Sequence, residues 1–169
     1  MTTAHALVQQ AVRRDLERAR ILLSTQLTIT KPRRQALAHH LIWLFDMVHP
    51  QDDDLAAAKH DVHHGARAFF ASAERVPRRD LLLAVGVALD RLAERDDWIH
   101  LAEIAHLGRQ VHWLVDGLES RVGDHVTRLL NPRANLPRVR LRGEVYRYRK
   151  DLLWGGTPAY TKSRPSVAG

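Results

Sequence analysis

Residues 30–50, TKPRRQALAHHLIWLFDMVHP, carry a helix from its start signal to its stop. Thr30 or Lys31 serves as the cap, and Pro32 takes the first helical position, where its missing N–H is not needed. Leu37, Leu41, Leu44, Phe45 and Val48 then recur three and four apart, the spacing of one apolar helix face. Pro50 ends the run.

The same punctuation extends outward in both directions. A preceding helix over 3–24 puts Val8, Val12, Leu16, Ala19 and Leu23 on one face. Asp52-Asp53-Asp54 supplies caps and favourable dipole charge for a third helix, with Leu55, Val62, Ala66, Phe69 and Ala73 on its stripe and Pro77 as its end. The stretch RRDLLLAVGVALDRLAERDD opens a fourth helix, apolar almost all round from Leu81 to Leu89 and so expected to be the most buried. Asp96 or Asp97 caps a further helix carrying Ile104, Leu107, Val111, Leu114 and Leu118, and Asn131-Pro132 breaks the pattern after Leu130. Short connections make consecutive helices antiparallel neighbours. The expected fold is all-α: an up-down four-helix bundle with an additional C-terminal helix over 1–130. Residues 131–169 form a basic, aromatic, partly irregular tail packed back on the bundle, with an extended run near Arg138–Tyr148.

A length of 169 residues suits one such domain. The chain has no cysteine, which excludes a disulfide scaffold, a cysteine-ligated metal and a thiol nucleophile. No apolar run approaches a transmembrane span, and the start MTTAHALVQQAVRRD has no signal-peptide pattern, so a cytoplasmic setting is expected. Residues 1–130 balance 17 basic against 17 acidic side chains, whereas residues 131–169 hold 9 basic and 2 acidic. The whole net charge of +7 therefore sits in the tail, densest in RVRLRGEVYRYRK from Arg138 to Lys150. Such a cluster can meet a polyanion. No recognition helix or reader motif accompanies the charge, however, so the expected arrangement is a tail lying back on acidic faces of the bundle.

Histidine occurs 11 times, which raises metal binding and proton transfer together. Helical phase sorts these residues. His5 falls on the first helix's apolar stripe with Gln9 nearby, and His100 and Glu103 fall within the stripe expected beyond residue 97. His40 and His49 flank the second stripe and His63 the third. His60 and His64, four apart, lie opposite Val62 and face solvent. His5, His40, His63, His100 and Glu103 together would supply four nitrogens and a carboxylate, a sufficient donor set for one metal ion.

Several short segments resemble the hemerythrin-like proteins, four-helix bundles that hold non-haem iron through His and carboxylates. These are QQAVRRDL at Gln9–Leu16, HLIWLFDMVHP at His40–Pro50, DVHHGARAFF at Asp61–Phe70, LDRLAERD at Leu89–Asp96 and HWLVDG at His112–Gly117. The resemblance implies the bundle and a His-rich iron site handling O2, NO or peroxide. It keeps a ligand at His40 and at His63, but puts Gln9 at the first-helix His position and Leu44 at a carboxylate position. Arg91 and Arg95 stand at the fourth-helix ligand positions. Guanidinium groups and an aliphatic side chain do not coordinate a cation.

Three functional readings follow. In the first, iron sits in an incomplete or rebuilt site and reacts with a dioxygen-type ligand. In the second, the cavity holds no metal and binds or turns over a small organic anion, with His40 and His63 as acid-base groups and Arg91 as the anion anchor. In the third, the chain is a non-catalytic interaction protein that works through residues 131–169. Composition and spacing leave enzyme and binder equally open.

Overall fold

The computed structural model describes residues 3–99, 138–141, 144–147, 153 and 161–162. Four helices make up most of this: α1 Thr3–Thr25, α2 Lys31–Asp46, α3 Asp53–Ala71 and α4 Arg75–Ala93. The body of the chain is thus helical. The expected C-terminal helix lies outside the described residues.

Helix α2 is the element the others are built around. Pro32 stands in its first turn, and every residue from Ala36 to Phe45 is buried. It closes where the Met47 N–H reaches the Leu44 carbonyl at 3.2 Å. Helix α3 packs on both α2 and α4, while α1 packs on α4 and, over a smaller contact, on α2. Trp43, Phe45, Phe69, Leu16, Leu41 and Leu81 are among the large side chains fully enclosed between them. At Gly65 a Cβ would lie 3.4 Å from the Leu81 Cα, so the missing side chain sets how closely α3 approaches α4.

Two expectations are corrected here. Pro77 does not end α3, which stops at Ala71. Pro77 lies instead in the first turn of α4, where a proline is tolerated, and Ala73 is exposed in the connection. Nor is α4 the most buried helix, since Leu83 and Val87 face solvent. Helix α4 is covered by α1 and α3, whereas α2 is also approached by the C-terminal part of the chain.

Helix ends are closed partly by side chains from distant elements. Asp52 accepts the Leu55 N–H at 2.9 Å as the α3 N-cap. The carbonyls of Phe69 and Phe70, near the end of α3, accept from Arg34 Nη1 at 3.2 and 3.1 Å. Arg78 of α4 does the same for α1, donating Nε to the Leu23 carbonyl at 2.9 Å and Nη2 to that of Gln26. Each arginine occupies carbonyls that a helix end leaves without internal partners.

Beyond α4 the chain turns back toward α2. His49 N–H donates to the Trp98 carbonyl at 2.7 Å, and Val48 pairs with Ile99 in an isolated antiparallel bridge. Trp98 and Ile99 are therefore extended, and no helix begins at Asp96 or Asp97 within the described residues. Three short strands follow, β1 Arg138–Leu141, β2 Glu144–Arg147 and β3 Thr161–Lys162, in an antiparallel sheet of order β1-β2-β3. Strand β1 lies against α2. Leu153 is fully buried, and its carbonyl accepts from Arg33 Nε at 3.1 Å. No described helix is long and apolar enough to cross a membrane.

Candidate functional site

Stripe spacing carries Asp15 into the interior of α1. It lies seven residues after Val8, three after Val12 and four before Ala19, and its side chain is fully buried. There its Oδ2 meets His40 Nε2 of α2 at 3.0 Å, and His40 is equally enclosed. The His40 ring tilts against Trp43, with centroids 5.6 Å apart. Arg14 Nε adds a longer contact of 3.4 Å to Asp15 Oδ1. Neither member of the Asp15–His40 pair presents surface to solvent, so a ligand reaches His40 only if the bundle opens.

The neighbouring His39 is also fully buried, stacked on Phe70 with ring centroids 5.3 Å apart. Burial drives its pKa down to about 3, because a charged imidazole there would forfeit its hydration. His39 is a neutral core residue at ordinary pH.

The remaining sequence-derived candidates form separate pairs. His5 Nε2 lies 2.9 Å from Asp97 Oδ1 at the edge of α1, and His63 Nε2 lies 3.3 Å from Asp46 Oδ1 between α3 and the end of α2. Arg91 Nη1 contacts Asp54 Oδ2 at 3.2 Å. Arg95 grips Asp52 through two bonds of 2.7 and 2.8 Å, which hold that carboxyl well down, to about 2, with help from the Leu55 N–H. Leu44 is buried apolar core. Gln9 places its amide in the turn after α4: Nε2 donates to the Asp96 carbonyl at 2.8 Å, and Oε1 accepts the Trp98 N–H at 3.0 Å. His60 and His64 are exposed on α3 with stacked rings 6.4 Å apart. His100 and Glu103 lie outside the described residues.

The test for an iron site is whether these donors converge. They do not: His5, His40 and His63 each meet a different carboxylate, and among the described residues no three His, Asp or Glu side chains are grouped to hold a metal ion. The positions that would complete a di-iron set hold an apolar leucine and two arginines engaged by aspartates. The described residues do not fit such a centre.

A different feature suits a ligand. Between the C-terminal half of α1 and the first turn of α2 lies an open cleft of about 240 Å³, lined by Arg18, Ile21, Leu22, Thr25, Gln26 and Arg33. Two guanidiniums, a hydroxyl and an amide surround an aliphatic floor. Thr30, at the start of α2, makes no side-chain cap bond, and the first turn of α2 contains no acidic residue. The positive end of that helix dipole and the Arg33 charge reinforce one another. Sequence phase alone did not indicate this cleft, because Arg18 and Arg33 belong to different helices and meet only through packing.

Fold and site together define a small helical protein with one Asp–His pair sealed between α1 and α2 and a cationic cleft at one end. No family model matches the chain, and neither a curated protein nor a solved structure is similar to it.

Proposed function

We propose that the chain is a metal-independent four-helix bundle protein that binds a small organic anion in the α1–α2 cleft. The contacts of α3 with α2 and α4, and of α1 with both α4 and α2, suit an up-down arrangement, the form that the hemerythrin-like resemblance implies. The observation carrying the ligand class is the cleft itself, where Arg18 and Arg33 flank the aliphatic Ile21 and Leu22. Guanidiniums hold carboxylate or phosphate groups through paired N–H bonds, and the apolar floor takes a short hydrocarbon portion. Binding, rather than catalysis through His40, suits a structure in which that imidazole is sealed from solvent.

A thermal-shift series with small carboxylates and phosphate esters tests this. A ligand at a hundredfold excess over its Kd stabilises the fold by about 2.7 kcal/mol. For a chain of this size that is a rise of roughly 5–10 °C in Tm. The expected result is such a rise with at least one compound, lost in the Arg18→Gln, Arg33→Gln variant. Compounds that never raise Tm, or a rise that survives both substitutions, would overturn the reading. Stoichiometric uptake of ferrous iron under anaerobic conditions would overturn its metal-independent part.

A second reading concerns the tail. Residues 131–169 hold 9 basic and 2 acidic side chains, and the β1–β2 register pairs Arg138 with Arg147. A polyanion would meet this excess of positive charge. Retention on heparin that falls steeply with salt, and that weakens in the Arg138→Gln, Arg147→Gln variant, is the expected behaviour. Flow-through at low salt would remove this reading.

A further inference from the structure

Helix α4 turns a continuous seam away from the bundle. Val76, Asp80, Leu83, Val87, Asp90 and Glu94 follow one another at alternating intervals of four and three residues, and all six are exposed. The apolar members are far more open than core residues: Val76 is 53% exposed, Leu83 62% and Val87 47%. Beside them, a Cβ added at Gly86 would meet nothing within 4 Å, so the backbone there is open to close approach.

The charges of this face are divided along the helix. Arg75, Arg78 and Arg79 lie within its first five residues, whereas Asp90 and Glu94 stand toward its C-terminal end, where Arg91 is the basic residue of the last turn. Arg78 is used to close α1. Arg79 has only a 3.8 Å contact with its neighbour Asp80, and Glu94 an equally long one with Arg95. An isolated helix gains nothing from this polarity. Two copies laid antiparallel do.

We propose that α4 is the self-association surface of this protein, pairing antiparallel with α4 of a second copy about a two-fold axis near Ala84 and Val85. At that register Arg79 stands opposite the partner subunit's Asp90, and Arg75 opposite the partner subunit's Glu94. Leu83 enters the notch at the partner subunit's Gly86. The two-fold repeats each contact, as a self-complementary interface requires. One helix seam with three exposed apolar side chains makes a small contact, so the dimer is weak and concentration-dependent. The surface lies on α4, apart from the α1–α2 cleft, and the proposal stands whether or not that cleft binds an anion.

Sedimentation velocity of the full chain, over roughly 1 to 200 µM, measures this equilibrium directly, in the range of weak assemblies. The expected result is a mass rising from 19.3 kDa toward twice that value as concentration increases. Leu83→Arg changes an exposed position and is expected to leave helicity intact while weakening the dimer at least about tenfold, the effect of losing a central apolar anchor. Asp90→Arg alone is expected to do the same by setting like charges opposite one another. Combining it with Arg79→Glu restores the pairing, since the symmetric interface then carries both pairs reversed. A monomer at every concentration would overturn the proposal. So would a dimer indifferent to Leu83→Arg, or an Asp90→Arg defect that Arg79→Glu does not repair.

Discussion

Asp15→Ala is expected to lower unfolding free energy by about 1–3 kcal/mol, the cost of taking one partner from a buried hydrogen-bonded polar pair. Asp15 Oδ2 sits 3.0 Å from His40 Nε2, and neither side chain has solvent-exposed surface. Removing the carboxylate takes from His40 a partner that no water at that depth readily replaces. A domain of ordinary stability has about 5–15 kcal/mol in all, so this one substitution removes a large share. His40→Ala is expected to cost a similar amount, since it opens a cavity beside Trp43 and removes the 3.0 Å contact to Asp15. The double variant Asp15→Leu, His40→Leu separates pairing from packing. Two apolar side chains of similar volume recover most of the loss, because the desolvation of both polar groups disappears along with their attraction. Urea unfolding of the three variants measures the outcome. Single substitutions costing less than about 1 kcal/mol, the scale of a surface pair, would show that the two groups are not a sealed unit.

The same pair shows what the residues alone disclose. The starts of α2 and α3 are written in Thr30-Lys31-Pro32 and in the Asp52 cap, local signals that survive into the fold, whereas α3 stops at Ala71, six residues before the Pro77 that its sequence offers as an end. Asp15 was also legible, lying at stripe spacing from Val8, Val12 and Ala19. Reading QQAVRRDL as a family motif hides it, since the motif draws attention to Gln9. The enclosure of α2 could be seen in ALAHHLIWLF at 36–45, where two histidines and the indole N–H of Trp43 are the only polar side-chain groups in ten residues. Against this, the composition of α4 suggested the deepest burial, and nothing in its sequence says that Leu83 and Val87 are left exposed among the described residues. The carboxylate partners of His5 and His63 were not legible. Asp97 and Asp46 reach them across the fold, and pairing over such distances in sequence is set by packing rather than by periodicity. The Arg18–Arg33 cleft is hidden for the same reason.

His39 links this packing to pH, and its sign can be worked out. An unfolded histidine has its pKa near 6.5, whereas burial against Phe70 depresses that of His39 to about 3. Between those values the unfolded chain binds a proton at this site that the folded chain refuses. Stability therefore falls as pH drops below about 6.5, and the loss stops growing only near pH 3. Each pH unit inside that window costs about 1.4 kcal/mol, so acidifying from pH 7 to pH 5 is expected to remove about 2 kcal/mol through this residue alone. The paired carboxyl of Asp52, held at about 2 by Arg95, cannot mimic the effect: its contribution is complete above the ordinary carboxyl range and is lost only as pH falls through it. His39→Leu replaces the imidazole by an apolar side chain of comparable size and leaves nothing to titrate. The decline of its stability from pH 7 to pH 5 in urea unfolding is expected to be shallower than in the wild type by about 2 kcal/mol, whatever its stability at pH 7. Parallel declines in the two proteins would mean that His39 accepts its proton in the folded state, which its enclosure in the core is expected to forbid.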